Sequence, residues 1–277
     1  MAGLSSDLPD EGRGTTFVPF PLANECLHDP VRLEEQFARD GLLFFRGLLD
    51  PCELDAVSEP LRRALEAEQI LDERGHWTGT VPSNLVHRRV NDQVPCAEFW
   101  ASERMVGLFE RFLGEPAFVY RSTVVRSYVP NDPVYLTPIH QDSFYHRMND
   151  EFRTVWLPLS EASLDTTGGI AIALGSHRAG PREHVPQPAY RSILTLDELI
   201  PLGVVPDSVK EPWATSAVAP GDVLAFHPHA LHRSLPNRSS HGVRLSMDTR
   251  IQPARLPRSF SATHTVAEIQ RAKATKF

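Results

Sequence analysis

The spacing of apolar positions changes character about two fifths of the way along the chain. Leu33 and Phe37 in VRLEEQFARDG, with Leu42 just beyond it, fall at roughly helical spacing, and Gly41 supplies a stop, so a short amphipathic helix ending at Gly41 is expected there. The apolar run LLFFRGLL that follows is too brief for a helix and reads as a buried strand, closed by a turn at Asp50-Pro51. Asp50, Pro51 and Glu53 form a capping-box entry to a second helix carrying Leu54, Val57, Leu61 and Leu65 on one side, which Pro60 should kink or divide. Residues 71–96 show no confident periodicity. In CAEFWASERMVGLFERFLG, by contrast, Phe99, Met105, Leu108 and Phe112 fall at helix-like spacing and Gly114 ends the run.

From about residue 117 the pattern shortens to period two or to brief apolar runs, each followed by Pro, Asn, Asp or Gly. AFVYRSTVVRSYV, RTVWLPL, GGIAIAL, DVLAFHP and VRLSMDTRIQ all read as strands, and so many short strands with turns between them indicate a β-sandwich or barrel. The expected architecture is mainly β with flanking helices. A leader at 1–23 precedes a single domain over 24–277, made of a helical front (about 24–116), a β core (about 117–252) and a tail (253–277).

Composition narrows the class. Lys plus Arg total 28 against 35 Asp plus Glu, a net charge of −7, which argues against nucleic acid as a partner. Hydrophobic residues at 41% allow a sizeable core, and 24 prolines favour short connections. Cys26, Cys52 and Cys96 are widely spaced and odd in number, so neither a disulfide framework nor a zinc knuckle is indicated. The first residues carry acid where a secretory signal would carry base, and no apolar stretch is long enough to span a membrane. A cytoplasmic location is the expectation.

The candidate chemistry centres on TPIHQDSFYH. Two residues apart in an expected strand, His140 and Asp142 project from one face. His232, in HALHRSLPN, lies 92 residues further on, and a rolled antiparallel sheet can bring it alongside. Two imidazoles and one carboxylate make a facial triad of the kind non-haem Fe(II) oxygenases use, because it leaves positions open for a cosubstrate and O2. A His and an Asp two apart are common by chance, so the company they keep matters. Arg244, 12 residues after His232, offers a guanidinium fork for a carboxylate such as that of 2-oxoglutarate, and Ser234 adds a hydroxyl on the His232 strand face.

The ordered set of HQD at 140–142, TVWLPL at 154–159, GGIAIALGSHRAG at 168–180, GDVLAFHPHALHRSLPN at 221–237 and VRLSMDTR at 243–250 resembles the phytanoyl-CoA dioxygenase family. The front segment EEQFARDGLLFFRGLLDPCELDAV resembles the family's usual entry, so the similarity covers about 34–251. It implies a double-stranded β-helix (a cupin-like jelly-roll barrel), with His140, Asp142 and His232 on Fe(II) and Arg244 on the C5 carboxylate of 2-oxoglutarate. Two departures stand out. The spacing from His232 to Arg244 exceeds by one that common in relatives, and Leu174 replaces a usual Pro.

Other residues are weighed beside these. His227 and His229 are alternative distal ligands, although only His232 begins an H-x-S-x-x-N pattern; His177 is expected to tie down a loop and Arg250 to form a structural ion pair. Thr154 and Trp156 border the cosubstrate or pack the core. Phe144, Tyr145 and His146, and less strongly Trp77, are candidates to line a substrate entrance; Arg88 and Arg89 read as a solvated charge pair.

The expected reaction is O2-dependent hydroxylation of an unactivated C–H bond in a small organic molecule, with 2-oxoglutarate converted to succinate and CO2. Arg-rich, Lys-poor usage suggests a GC-rich genome and secondary metabolism, such as antibiotic biosynthesis. The alternatives are the same iron chemistry turned to cyclisation, epimerisation or desaturation, a non-redox cupin-like metal enzyme, and a silent binding barrel.

Overall fold

A computed structural model describes residues 15–82, 84–120, 123–132, 136–146, 148–190 and 200–258. Most of the expected leader and tail, and the side chain of Arg88, lie outside these residues. The front comprises β1 (Phe17–Val18), α1 (Pro30–Asp40), β2 (Leu42–Phe45), α2 (Asp55–Ala67), α3 (Asn84–Asn91), α4 (Cys96–Trp100) and α5 (Glu103–Leu113). Then come β3 (Ala117–Val119), β4 (Val124–Tyr128), the one-turn α6 (Asp142–Tyr145), β5 (Arg153–Pro158), β6 (Gly169–Ala173), β7 (Val185–Pro186) and β8 (Leu202–Gly203). The strands β9 (Trp213–Ala214), β10 (Val223–Phe226), β11 (His232–Leu235) and β12 (Arg244–Pro253) complete the order.

Local signals explain most boundaries. Asp29 caps α1 by accepting from the Arg32 N–H, and Gly41, at φ 79°, ends it in the left-handed conformation. The Asp50–Glu53 capping box forms as expected, opening a 3-10 turn at Pro51–Leu54 that runs into α2. Four expectations need correction. The second helix is not divided at Pro60, which lies inside a continuous α2 and removes only one backbone donor. The run from Cys96 breaks at Ala101-Ser102, because Ser102 caps a new helix by accepting from the Met105 N–H. The featureless 71–96 stretch contains α3. Finally, residues 15–23 are no loose leader: β1 pairs with β9, and Phe20 and Ala23 are buried.

The strands form two principal sheets. One has the order β2-β10-β5-β12-β3, with β4 also pairing β12, and the other β1-β9-β6-β11. Period-two alternation on the larger sheet then sorts side chains into two compartments. Leu43, Phe45, Val155, Leu157, Val223, Ala225, Met247 and Ile251 face the helices and join their apolar residues in one large core. Leu42, Phe44, Trp156, Leu224 and Phe226 point the other way, towards Ile172 and Ala214 of the smaller sheet. The polar members of that inner face, Thr154 on β5 and Arg244, Ser246, Asp248 and Arg250 on β12, are therefore delivered to the space between the sheets. That is the jelly-roll core implied by the sequence.

Candidate active site

His140 and His232 meet across an isolated antiparallel bridge, exchanging both backbone hydrogen bonds: His140 N–H to His232 O at 3.0 Å and His232 N–H to His140 O at 3.1 Å. A pair joined in this way places its side chains on the same face, and the two ring centroids lie 4.0 Å apart. Asp142 is not in a strand as the sequence suggested. It opens α6, but Gln141 is extended (φ −116°, ψ 135°), so the chain still turns the Asp142 carboxylate to the histidine side. Gln141 itself points away from the pair and fixes this turn, donating to Gly180 O and His229 O and accepting from the Arg182 N–H.

The donor atoms of His140, Asp142 and His232 all lie within 4.8 Å of one another, the only such His/Cys/Asp/Glu group among the described residues, and all three residues are buried. Asp142 Oδ1 is 3.5 Å from His140 Nε2 and 3.7 Å from His232 Nε2. The imidazole tautomers are set by their neighbours. His140 Nδ1 lies 2.9 Å from Pro138 O and His232 Nδ1 3.0 Å from Ala230 O. A carbonyl can only accept, so each Nδ1 carries a proton and Nε2 is the nitrogen turned to the centre, the one that a metal-binding histidine held in this way offers. Burial pushes His232 down to about 3, which keeps it neutral at physiological pH. For Asp142, burial alone would push the carboxyl up; the Arg250 guanidinium, with smaller effects from the two histidines, outweighs it and holds the group well below the usual carboxylate range. Two imidazoles that turn Nε2 inward and one anionic oxygen fit a divalent iron ion.

Beside this centre the intersheet cavity is lined by Trp156, Ile170, Phe226, Ser234 and Arg244, among others. Arg244 is 2% exposed and has no carboxylate partner among the described residues. It donates to Gly169 O, lies 3.4 Å from Ser234 Oγ and stacks at 4.0 Å over the Tyr128 ring; its Nε is unpaired. Burial lowers its pKa to about 10, still charged at neutral pH. Gly169 O comes within reach because Gly168 takes φ 78° and lies so close to the Leu235 carbonyl that a Cβ would sit 2.3 Å from its oxygen. The longer turn between His232 and Arg244 is organised by Asn237, which donates to Tyr128 O and Gly242 O and accepts from Ser239. The departure at Leu174 is also legible, since its N–H donates to Pro212 O, a bond that proline could not make.

Several other residues fall elsewhere. Thr154 lines the cavity, but its hydroxyl donates to Asp142 Oδ2. Arg250 forms the ion pair expected of it, to Asp142 and Asp248. His177 Nε2 lies 3.1 Å from Ala38 O and ties the loop to α1; His229 faces Asp150, and His227 accepts from the His229 N–H, so none of the three joins the donor group. Tyr145 approaches His140 and donates to Leu202 O, Phe144 stacks on His184 at 3.9 Å, and His146 packs on Phe152. Trp77 is not among the residues that line this cavity; it packs on the helical core and donates its indole N–H to Thr80 O. Arg89 pairs with Glu68 on the surface. Sequence reasoning missed Arg126, Tyr128 and Asp248. Arg126 and Tyr128 alternate on β4, and Asp248 shares the parity of Arg244, so period two alone would have found them.

The comparisons with known proteins agree with this geometry. Residues 37–246 match the family model for phytanoyl-CoA dioxygenase. The chain is 36% identical over 262 residues to a 1-deoxypentalenic acid 11-beta-hydroxylase of Streptomyces arenae, covering 89% of each chain. It is 37% identical over 246 residues to the protein of the same name in Streptomyces exfoliatus, covering 85% of this chain and 86% of that one. Among solved structures, EctD from S. alaskensis with bound Fe shares the fold at a TM-score of 0.56 and 16% identity, over 88% of this chain and 85% of that chain. No helix among the described residues is long and apolar enough to cross a membrane. A family match over most of the chain, two relatives above 35% identity and the His-Asp-His centre lead to one conclusion: this chain belongs to the phytanoyl-CoA dioxygenase family and is an Fe(II)- and 2-oxoglutarate-dependent oxygenase.

Proposed function

We propose that His140 Nε2, Asp142 Oδ1 and His232 Nε2 hold the Fe(II), that Arg244 with Ser234 grips the distal carboxylate of 2-oxoglutarate, and that the enzyme hydroxylates a small organic acid related to 1-deoxypentalenic acid. The observation that carries the site assignment is the pairing of a buried His-Asp-His donor triad with a buried arginine that lacks a carboxylate partner among the described residues. Among the described residues that line the cavity, the guanidinium groups of Arg126, Arg244 and Arg250 meet two carboxylates, Asp142 and Asp248, so the site favours an anion. The substrate class rests on the two hydroxylase relatives. Because the helical front and the β core share one apolar cluster, we take them to act as a single oxygenase domain.

When bound, iron and 2-oxoglutarate supply the oxidation: O2 and 2-oxoglutarate are consumed, and succinate, CO2 and a hydroxylated product leave. The chain's own residues do the positioning. Pro138 O and Ala230 O keep the imidazoles oriented with Nε2 turned to the centre. Arg244 fixes one end of a flexible diacid by charge-assisted hydrogen bonds, while Trp156, Ile170 and Phe226 exclude water beside it. Phe144, Tyr145 and His146 follow Asp142 on the chain and are the proposed border of the substrate entrance.

The test is succinate formation by the Fe(II)-loaded protein, with and without 1-deoxypentalenic acid. Slow 2-oxoglutarate consumption that accelerates on addition of the acid, with a hydroxylated product, is the expected result. Consumption that the acid does not accelerate would overturn the substrate assignment and leave the centre intact; no consumption at all would overturn the centre.

A further inference from the structure

The outer oxygen of Asp142 is engaged twice. Thr154 Oγ1 donates to Oδ2, and Arg250 Nη2 donates to the same atom at 2.8 Å. The two donors come from adjacent strands and are direct partners in the β5–β12 ladder, Arg250 opposite Thr154, so the register of the sheet delivers both to one point. Both residues are buried, at 1% and 4% exposure. A carboxylate oxygen has two lone-pair sites, and on Oδ2 both are filled. Oδ1 is the oxygen turned to the two Nε2 atoms.

Arg250 is held in turn. Its Nη1 donates to Asp248 Oδ1, and Asp248 Oδ2 lies 3.3 Å from Arg126 Nη2, so the guanidinium plane is pinned between two buried carboxylates. The charge of Arg250 keeps the buried Asp142 carboxyl ionised, and the fixed direction of its Nη2, beside the Thr154 hydroxyl, adds a geometric constraint that charge alone would not give.

We propose that Thr154 and Arg250 are positioning residues that saturate Oδ2 of Asp142, so that the carboxylate offers a metal Oδ1 alone, with Asp248 and Arg126 holding Arg250 at the required angle. The inference rests on the assignment of His140, Asp142 and His232 as the metal centre. Single-oxygen ligation keeps the remaining coordination positions free for the cosubstrate and O2.

The experiment is a Co(II) titration of the full-length protein under competition with a chelator, read by affinity and by the Co(II) ligand-field spectrum. The principal variant is Thr154→Val, which keeps shape and charge and removes only the hydroxyl. It should bind Co(II) roughly 10- to 100-fold more weakly with an altered spectrum, and Thr154→Ser should restore both. Arg250→Lys, which keeps the charge and loses the fork, should weaken binding in the same direction. Wild-type affinity and spectrum in Thr154→Val, or tighter binding in Arg250→Lys, would overturn the proposal. A wild-type protein that fails to bind Co(II), or a His140→Ala variant that binds it as well as wild type, would instead overturn the assignment of the centre.

Discussion

Replacing Arg244 by Gln tests the cosubstrate site most sharply, because binding and stability should move independently. Arg244 has no carboxylate partner among the described residues, so its removal strands no buried anion. Burial has already lowered its pKa to about 10, which corresponds to a cost on the order of 3 kcal/mol for keeping that charge in the apo protein. Gln gives up this cost but also some packing over Tyr128, and its amide can still donate towards Gly169 O. The apo variant should therefore melt near or above the wild-type temperature. The loss appears on binding. Removing one side of a buried, hydrogen-bonded charge pair costs roughly 2–5 kcal/mol, or about 30- to several-thousand-fold in 2-oxoglutarate affinity. Arg244 makes no contact with His140, Asp142 or His232, so Fe(II) affinity should hardly change. Calorimetric titration of 2-oxoglutarate into the anaerobic Fe(II) protein, beside thermal melts of the apo forms, gives both numbers. Unchanged 2-oxoglutarate affinity would refute the role of Arg244, and a large fall in apo stability would refute the argument about its unpaired charge.

The remaining predictions concern the metal ligands, acid stability and product. His232→Ala should lose metal binding and turnover, whereas His229→Ala, whose ring faces Asp150, should keep much of both; the reverse pattern would show that the distal ligand is wrongly assigned. His87 is buried beside Ser127 with its pKa lowered to about 4, chiefly by burial. An unfolded His87 takes up its proton near pH 6.5, so its contribution to stability is complete above that value and is lost as pH falls towards 4, up to roughly 3 kcal/mol. Denaturant melts of His87→Asn should accordingly show a shallower acid limb than wild type, and superimposable limbs would refute the assignment. If Asp142, held by Thr154 and Arg250, is a metal ligand as proposed, the wild-type product formed in chloride buffer should carry no chlorine, since the carboxylate then fills a coordination position that a chloride could otherwise take. Asp142→Gly should lose most activity, and mass spectrometry of the product decides both points.

How far the sequence could be read depended on the range of the interactions concerned. Strands and capped helices were legible because their causes are local: alternation along VRLSMDTR, Asp50 and Glu53 around Pro51, and glycine after α1 and α5. The candidate cluster of His140, Asp142 and His232 was legible through motif order, although the expected strand at 140–142 obscured how Asp142 reaches the other two. An extended Gln141, stitched to the loops at 180–182 and 229, does what strand pairing was expected to do. The partners of these donors were hidden because they arise from register. Nothing in the local sequence of Thr154 distinguishes a cosubstrate contact from a hydrogen bond to Asp142, and the choice follows only from Thr154 lying opposite Arg250 in the β5–β12 ladder. The same holds for Trp77, an aromatic residue in an irregular stretch, whose backbone N–H donates to His241 O far along the chain. Motif order thus locates the reactive atoms, whereas register decides which side chains hold them, and substitutions at register-determined positions such as Thr154 and Arg250 probe what motif comparison alone leaves out.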